Sequence, residues 1–264
     1  MTTADATRDI EPASRYVEHV MGMPVSLALR GRHTRDATAR AAWAAGLDVL
    51  READRVFSTY RLDSHVCRIN RGEITVDDCP TEVVEVLALG EAAERESGGA
   101  FSVWLPGADG RKVLDPSGVV KGWAAERAAA VLGELTETDF CLSAGGDITC
   151  RTLDADSEPW RIGIENPAET GRILAVVPVF TGAVATSGTS HRGQHLLDAR
   201  TGQAPTGIAS VTVVTGSLTC ADIDATAAYA QGRDAARWLE SRPGRSGLVV
   251  WADGTTTVVN SRPC

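Results

Sequence analysis

Phe140-Cys141-Leu142-Ser143-Ala144-Gly145-Gly146-Asp147-Ile148-Thr149-Cys150-Arg151-Thr152 reads as a short strand, a glycine-bearing turn and a second short strand. Similar runs recur downstream and predict strands over residues 160–165, 173–180, 183–186, 195–197 and 210–215. The chain closes on 248–251 and 256–259, two strands around Asp253-Gly254, a dipeptide favoured in hairpin turns. Upstream, strands over 16–20 and 25–29 flank the tight segment Met21-Gly22-Met23-Pro24. Between these strand regions lie helical patterns. From Asp36, a plausible N-cap, to Val56, the residues Ala41, Ala45, Leu47, Val49, Leu50 and Ala53 form one stripe. A second helix is expected over 81–96, capped by Thr81 and stopped by Gly98-Gly99, and a third over 121–135. Two more fall at 221–230 and 233–239. Strands following strands, with helices in separate runs, point to an α+β fold with mainly antiparallel sheet and flanking helices. No convincing internal sequence repeat and no linker is visible.

Composition narrows the partners. The chain has 264 residues and a formal net charge of −9, which disfavours nucleic acid and anionic membranes because both need a basic footprint. An anionic small molecule remains compatible, through a local cation or a bound divalent metal. Residues 1–14 are polar and acidic and read as a disordered tail, with 15–264 as a single domain. That start carries no signal-peptide pattern, and no run approaches the ~18 apolar residues of a membrane helix. The expectation is a cytoplasmic protein. Its six cysteines, at 67, 79, 141, 150, 220 and 264, have no metal-ligand spacing and read as reduced thiols.

Four polar segments could carry chemistry, each with an ordinary structural alternative. Leu114-Asp115-Pro116-Ser117-Gly118-Val119-Val120-Lys121-Gly122 leads into the third helix, whose N-terminus suits phosphate. Lys121 is expected in its first turn, where a cation is disfavoured unless an anion is near; the alternative is a turn and a surface lysine. Ser143 to Asp147 could bring backbone close to a ligand, or be a plain hairpin loop. Residues 186–202 collect hydroxyls, two arginines, His191 and His195. Glycines argue against a helical zinc pair there, and a histidine in proton transfer is more plausible. Finally, Asp222 and Thr226 lie four apart at the start of a helix and share a face. They offer hard oxygens to magnesium, or Asp222 is simply a capping acid.

The order of these segments resembles the FAD:protein FMN transferase, or ApbE, family. The resemblance runs from Met21-Gly22 to about Gly232, through Phe57-Ser58-Thr59-Tyr60, Asp63-Ser64, Ile69-Asn70, Gly99-Ala100-Phe101-Ser102 and Asp115 to Gly122. It continues in Ala144-Gly145-Gly146-Asp147, Ala185-Thr186-Ser187-Gly188, His195 to Gly202, Ser210-Val211-Thr212-Val213 and Ala221 to Thr226. It implies two interlocked modules similar to a T-fold with FAD bound between them. A threonine or serine hydroxyl of an acceptor protein attacks the FMN phosphorus and AMP leaves. It also implies Mg2+ held by Asp222, the Thr226 hydroxyl and the Gly118 carbonyl. Flavin and adenine contacts fall on Met21, Tyr60, Ala100, Phe101, Ser102, Asp115, Lys121 and Leu197, with His195 accepting the acceptor's proton. Against the family pattern, Ser102 stands where aspartate is frequent, Met23 where threonine is usual, and Ala199 where proline is common; Ala225 stands where some members have another metal-facing oxygen. The competing functions are a magnesium-dependent FAD pyrophosphatase and a flavin-binding protein without turnover.

Overall fold

The first hairpin pairs β1 (Ser14–Val20) with β2 (Met23–Gly31), from Ser14↔Leu29 to Val20↔Met23. Its two-residue loop holds Met21 at φ 55° and Gly22 at φ 68°. Tight hairpins favour such paired left-handed residues, although methionine adopts that backbone only at a cost. The computed structural model describes residues 14–107, 110–154, 156–188 and 196–260. The expected N-terminal tail lies outside the described residues except for Ser14, which opens β1.

Helix α1 (Ala37–Phe57) starts at Asp36, whose side chain accepts from the Ala39 N–H at 2.8 Å. It buries Leu47, Leu50, Ala53, Val56 and Phe57. The short α2 (His65–Asn70) follows, and then α3 (Thr81–Glu96). Thr81 is not the cap of α3; Pro80 holds that position without a side-chain hydrogen bond. Gly98 and Gly99 end the segment at φ 63° and 83°. A small ribbon of β3 (Trp104–Pro106) and β4 (Lys112–Leu114) leads to α4 (Ser117–Leu132). This helix begins four residues before the expected start, because Val119 and Val120 are buried and core packing overrides their weak helix propensity. Lys121 therefore stands a full turn inside the helix.

The later strands are β5 (Thr138–Ala144), β6 (Asp147–Arg151), β7 (Trp160–Glu165), β8 (Ile173–Val179), β9 (Gly182–Gly188) and β10 (Ile208–Thr215). Then come α5 (Leu218–Ala230), α6 (Ala235–Glu240), β11 (Ser246–Trp251) and β12 (Thr256–Asn260). Of the strand expected at 195–197, Leu196 and Leu197 are irregular and Asp198 makes one bridge to Gln203. His195 lies outside the described residues.

Eight strands form one antiparallel sheet in the order β1-β2-β5-β6-β9-β10-β11-β12. Its two halves have the same plan: a hairpin, helices, then a second hairpin. The fold is α+β, as the strand runs imply, and each half matches the expected module. Val25, Leu27, Leu29, Leu142, Ala185, Val211, Val213 and Val249 point from the sheet into the main core with α1, α4 and α5. On the opposite face the β7–β8 ribbon packs Trp160, Ile162 and Val179 over Cys150 and Val184. The halves meet where β6 pairs with β9, in only three register pairs, Ile148↔Val184, Thr149↔Ala183 and Cys150↔Gly182.

Candidate functional site

The β6–β9 ladder runs out at Ile148 and Val184, and the site lies beyond that point. Asp147, the first residue of β6, accepts the Thr186 N–H with Oδ1 at 3.0 Å, replacing a ladder bond by a side-chain bond. Its Oδ2 is 2.6 Å from Lys121 Nζ, which also lies 3.2 Å from Asp222 Oδ1. Asp222 Oδ2 accepts the Gly122 N–H at 2.8 Å. Both carboxylates are almost fully buried, Asp147 at 2% and Asp222 at 1% exposed. Two negative groups thus share one ammonium.

The electrostatics follow from that count. Burial raises the Asp222 carboxyl, to about 7; Lys121 opposes the shift and Asp147 adds to it. For Lys121, burial lowers the ammonium pKa, but the charges of Asp222 and then Asp147 outweigh it and hold the group above its ordinary value. A third contact completes the wall: Ser187 Oγ and Thr226 Oγ1 are 2.9 Å apart.

Close helix packing creates this geometry. A Cβ on Gly122 would come within 2.7 Å of both the Asp222 Cβ and the Leu218 carbonyl. One turn earlier, a Cβ on Gly118 would meet the Phe101 ring at 2.9 Å and the Thr226 methyl at 3.5 Å. Glycines four apart on α4 therefore face Asp222 and Thr226, four apart on α5. Glu126, further along α4, accepts from Leu218 N, Thr219 N and Ser217 Oγ at 3.0–3.2 Å and from Thr219 Oγ1, holding the start of α5.

These groups line a cavity of about 950 Å³, shared by both halves of the sheet. Its wall includes Met21 and Tyr60 from the first half, Thr186, Ser187 and Ser210 from the second, and Gly163 to Glu165 from the ribbon. Among the described residues no three His, Cys, Asp or Glu side chains converge as a metal cluster.

A family model described as the ApbE family matches residues 21–108 and 104–249. The chain belongs to the ApbE family. Among curated relatives, the FAD:protein FMN transferase of Haemophilus influenzae is 28% identical over 134 residues, 47% of this chain and 39% of that protein. The one from Vibrio cholerae is 30% identical over 131 residues, 46% of this chain and 39% of its own length. The chain thus matches about two fifths of the length of these relatives. Among solved structures, the ApbE protein of Thermotoga maritima superposes with TM-score 0.80 at 20% identity, covering 94% of this chain and 97% of that one. The flavin transferase ApbE from Vibrio cholerae gives 0.78 at 21% identity, over 95% and 98%. These structural likenesses establish the fold.

Of the residues that ApbE resemblance singled out, Met21, Tyr60, Gly118, Lys121, Asp222 and Thr226 line the cavity. Tyr60 stands at its rim, 93% exposed. Ala100, Phe101, Ser102, Asp115 and Leu197 are not among its lining residues. Phe101 instead packs behind Gly118. Ser102 donates to Glu94 at 2.8 Å, and Asp115 accepts from Ser117 N at 3.0 Å, fixing the entry to α4. Leu196, next to Leu197, is the one that reaches the cavity. In the sequence Asp147 stands out only as the end of a turn segment and not as a site residue. The signal available was an acid directly after paired glycines, at a position where β6 requires a buried side chain.

Proposed function

We propose that this chain transfers the FMN half of FAD to a threonine or serine hydroxyl of an acceptor protein, releasing AMP. The observation that carries the proposal is the cluster of Asp147, Asp222 and Lys121 beside two hydroxyls in the cavity of an ApbE-family fold. Curated relatives bear the corresponding activity as their name. A cavity of about 950 Å³ is at the large end for small-molecule sites. A dinucleotide suits that size.

Magnesium fits the residues present. Two buried carboxylates against one ammonium leave the cluster short of positive charge, and the available donors are hard oxygens. We assign the ion to Asp222, the Thr226 hydroxyl and the Gly118 carbonyl. The Gly122 N–H, whose regular helical acceptor is the Gly118 carbonyl, is drawn toward Asp222, so the Gly118 oxygen keeps acceptor capacity. When bound, magnesium offsets charge on the phosphates.

The protein's own groups then align and hold. Lys121 orients the pyrophosphate as a fixed cation, while Asp147 and Asp222 fix the ammonium in place. Met21 and Tyr60 contact the flavin at the mouth. Ala100, Phe101, Ser102, Asp115 and Leu197 act in this reading as support around α4 and the cavity edge. The acceptor oxygen forms a bond to the FMN phosphorus as the bond from that phosphorus to the AMP oxygen breaks. His195 takes the acceptor's proton. Little covalent work falls to the enzyme in phosphoryl transfer, so alignment and charge neutralisation carry the rate.

The test is mass spectrometry of a threonine-bearing acceptor incubated with the protein, FAD and magnesium. A gain of one FMN residue on the acceptor supports transfer. Free FMN with AMP and an unmodified acceptor means hydrolysis instead, and intact FAD means binding alone.

A further inference from the structure

Cys141 and Cys150 stand directly opposite each other in the β5–β6 hairpin, with their sulfurs 3.3 Å apart. Opposed residues of antiparallel strands have Cα atoms about 4.5–5.5 Å apart, within the roughly 4.4–6.8 Å that a disulfide spans. Joining them needs rotation of the side chains, not movement of the strands. Both thiols point to the sheet face covered by the β7–β8 ribbon, in the cluster with Trp160 and Val179. Cys150 is buried and Cys141 partly exposed.

The two thiols are not equivalent. The Cys150 thiol donates to the Cys141 sulfur, which lowers the Cys141 pKa against the effect of burial; the charges of Arg30 and Arg15 lower it further. Donation and burial together push Cys150 up. Cys141 is therefore the more nucleophilic partner, and Cys150 lies in position to resolve it. By contrast, the Cys67 thiol donates to the Ser58 and Thr59 carbonyls, and that of Cys79 to the Thr75 carbonyl.

We propose that Cys141 and Cys150 form a redox modification site, which a hydroperoxide converts into a cross-strand disulfide. The Cys141 thiolate attacks a peroxide oxygen, the O–O bond breaks, and Cys141 becomes a sulfenic acid while hydroxide or alkoxide leaves. The Cys150 sulfur then attacks the Cys141 sulfur; its thiol proton and the expelled hydroxide leave as water. Two thiols are oxidised and one peroxide is reduced. A small thiol restores the pair by exchange. The bridge closes the hairpin whose turn presents Asp147, so oxidation staples one wall of the cavity.

The experiment treats reduced full-length protein with a small excess of hydrogen peroxide, alkylates the remaining thiols and digests with trypsin. Both cysteines fall in the single peptide 128–151. The expected result is a peptide about 2 Da lighter, unalkylated and restored by dithiothreitol, formed at least about tenfold faster than oxidation at Cys67, Cys79 or Cys220. In Cys150→Ser, Cys141 should instead accumulate as a dimedone-reactive sulfenic acid. Two alkylated cysteines in peptide 128–151 after the other thiols have oxidised overturn the proposal. So do disulfide-linked dimers through either residue, or sulfinic acid on Cys141 with Cys150 still alkylatable in the wild type.

Discussion

A buried carboxylate that shares one ammonium with another carboxylate is poorly neutralised, and Asp222 is so placed. Its folded pKa lies above the roughly 3.9 of an unfolded aspartate. The stability it contributes is therefore full below that value and is lost as pH rises through its folded pKa. Asp224 is shifted the same way by burial, against Arg245. Asp36 and Asp63 are shifted down by hydrogen bonds, so their contributions fade only in acid. Metal-free protein should accordingly lose melting temperature as pH rises from about 4 to about 7, the window between the unfolded and folded values of Asp222, and magnesium should restore it most at the alkaline end. Asp222→Asn keeps an acceptor for the Gly122 N–H and removes the charge. It should melt no lower than the wild type in metal-free buffer at pH 8, lose much of the pH slope, and lower FMN transfer at least about 100-fold. An unchanged slope in scanning fluorimetry contradicts the charge assignment. His195→Ala should retain FAD binding and lower transfer by about 10²-fold or more; an equal effect in His191→Ala removes the base assignment. The identity of Asp222 is legible in the sequence from its spacing to Thr226, but its burial is not. A helical spacing fixes the face, not what covers it, and reading Asp222 as an exposed capping acid misses the Lys121 contact.

Elements explain why the glycines of α4 are not interchangeable with other glycines. Gly46 in α1 has its nearest prospective Cβ contact at 3.6 Å, an ordinary packing distance. Gly46→Ala should raise stability by up to about 1 kcal/mol through helix propensity. In Gly122→Ala the new methyl meets Asp222 and the Leu218 carbonyl at 2.7 Å, and backbone must move. That substitution should cost about 1–3 kcal/mol, and it should weaken magnesium dependence because α4 and α5 separate. Denaturant midpoints of the two variants check the opposite signs; a stabilised Gly122→Ala contradicts the close approach. Glu126 serves the same helix pair by accepting the Leu218 and Thr219 N–H groups of α5, beside the local cap Ser217, which accepts the Cys220 N–H. Glu126→Ala should cost about 1–2 kcal/mol by equilibrium unfolding. The sequence shows that α4 and α5 exist and where α5 runs. It misplaces the start of α4 because Gly118, Val119 and Val120 are poor helix formers, and only their burial against Phe101 and the core makes them helical. A partner 92 residues away, such as Glu126 for Leu218, leaves no local pattern at all.

For the whole molecule the consequential feature is the thin junction between its halves. β2 and β5 pair over seven residues and β6 and β9 over three. Most strands and the longer helices of both halves are readable from periodicity and turn residues, but α2, the β3–β4 ribbon and the direct β9–β10 pairing are not. The common plan of the halves is not either, because it lies in strand pairing and not in repeated residues. Strand order is also illegible, since the burial pattern of a strand, alternating in β2 and β7 but continuous through much of β9 and β10, does not name its neighbours. The short junction leaves space for the cavity, and the cavity draws residues from both sides: Met21, Lys121 and Asp147 from one half, Ser187, Asp222 and Thr226 from the other. A ligand spanning that space couples the halves. At a free concentration about 100 times its dissociation constant, it should stabilise the native state by about 2.7 kcal/mol. The distribution of that gain is the informative measurement. If FAD with magnesium bridges the junction, hydrogen exchange should slow together in β6, in β9 and at the start of α5, on opposite sides of the short ladder. The metal-free, FAD-free protein should show lower protection at Asp147 and Thr186 than in the continuous β2–β5 pairing, because local openings start where few ladder bonds hold. Protection confined to β1, β2 and β5 would place the ligand on one half alone, and the shared site proposed for FMN transfer would fail with it.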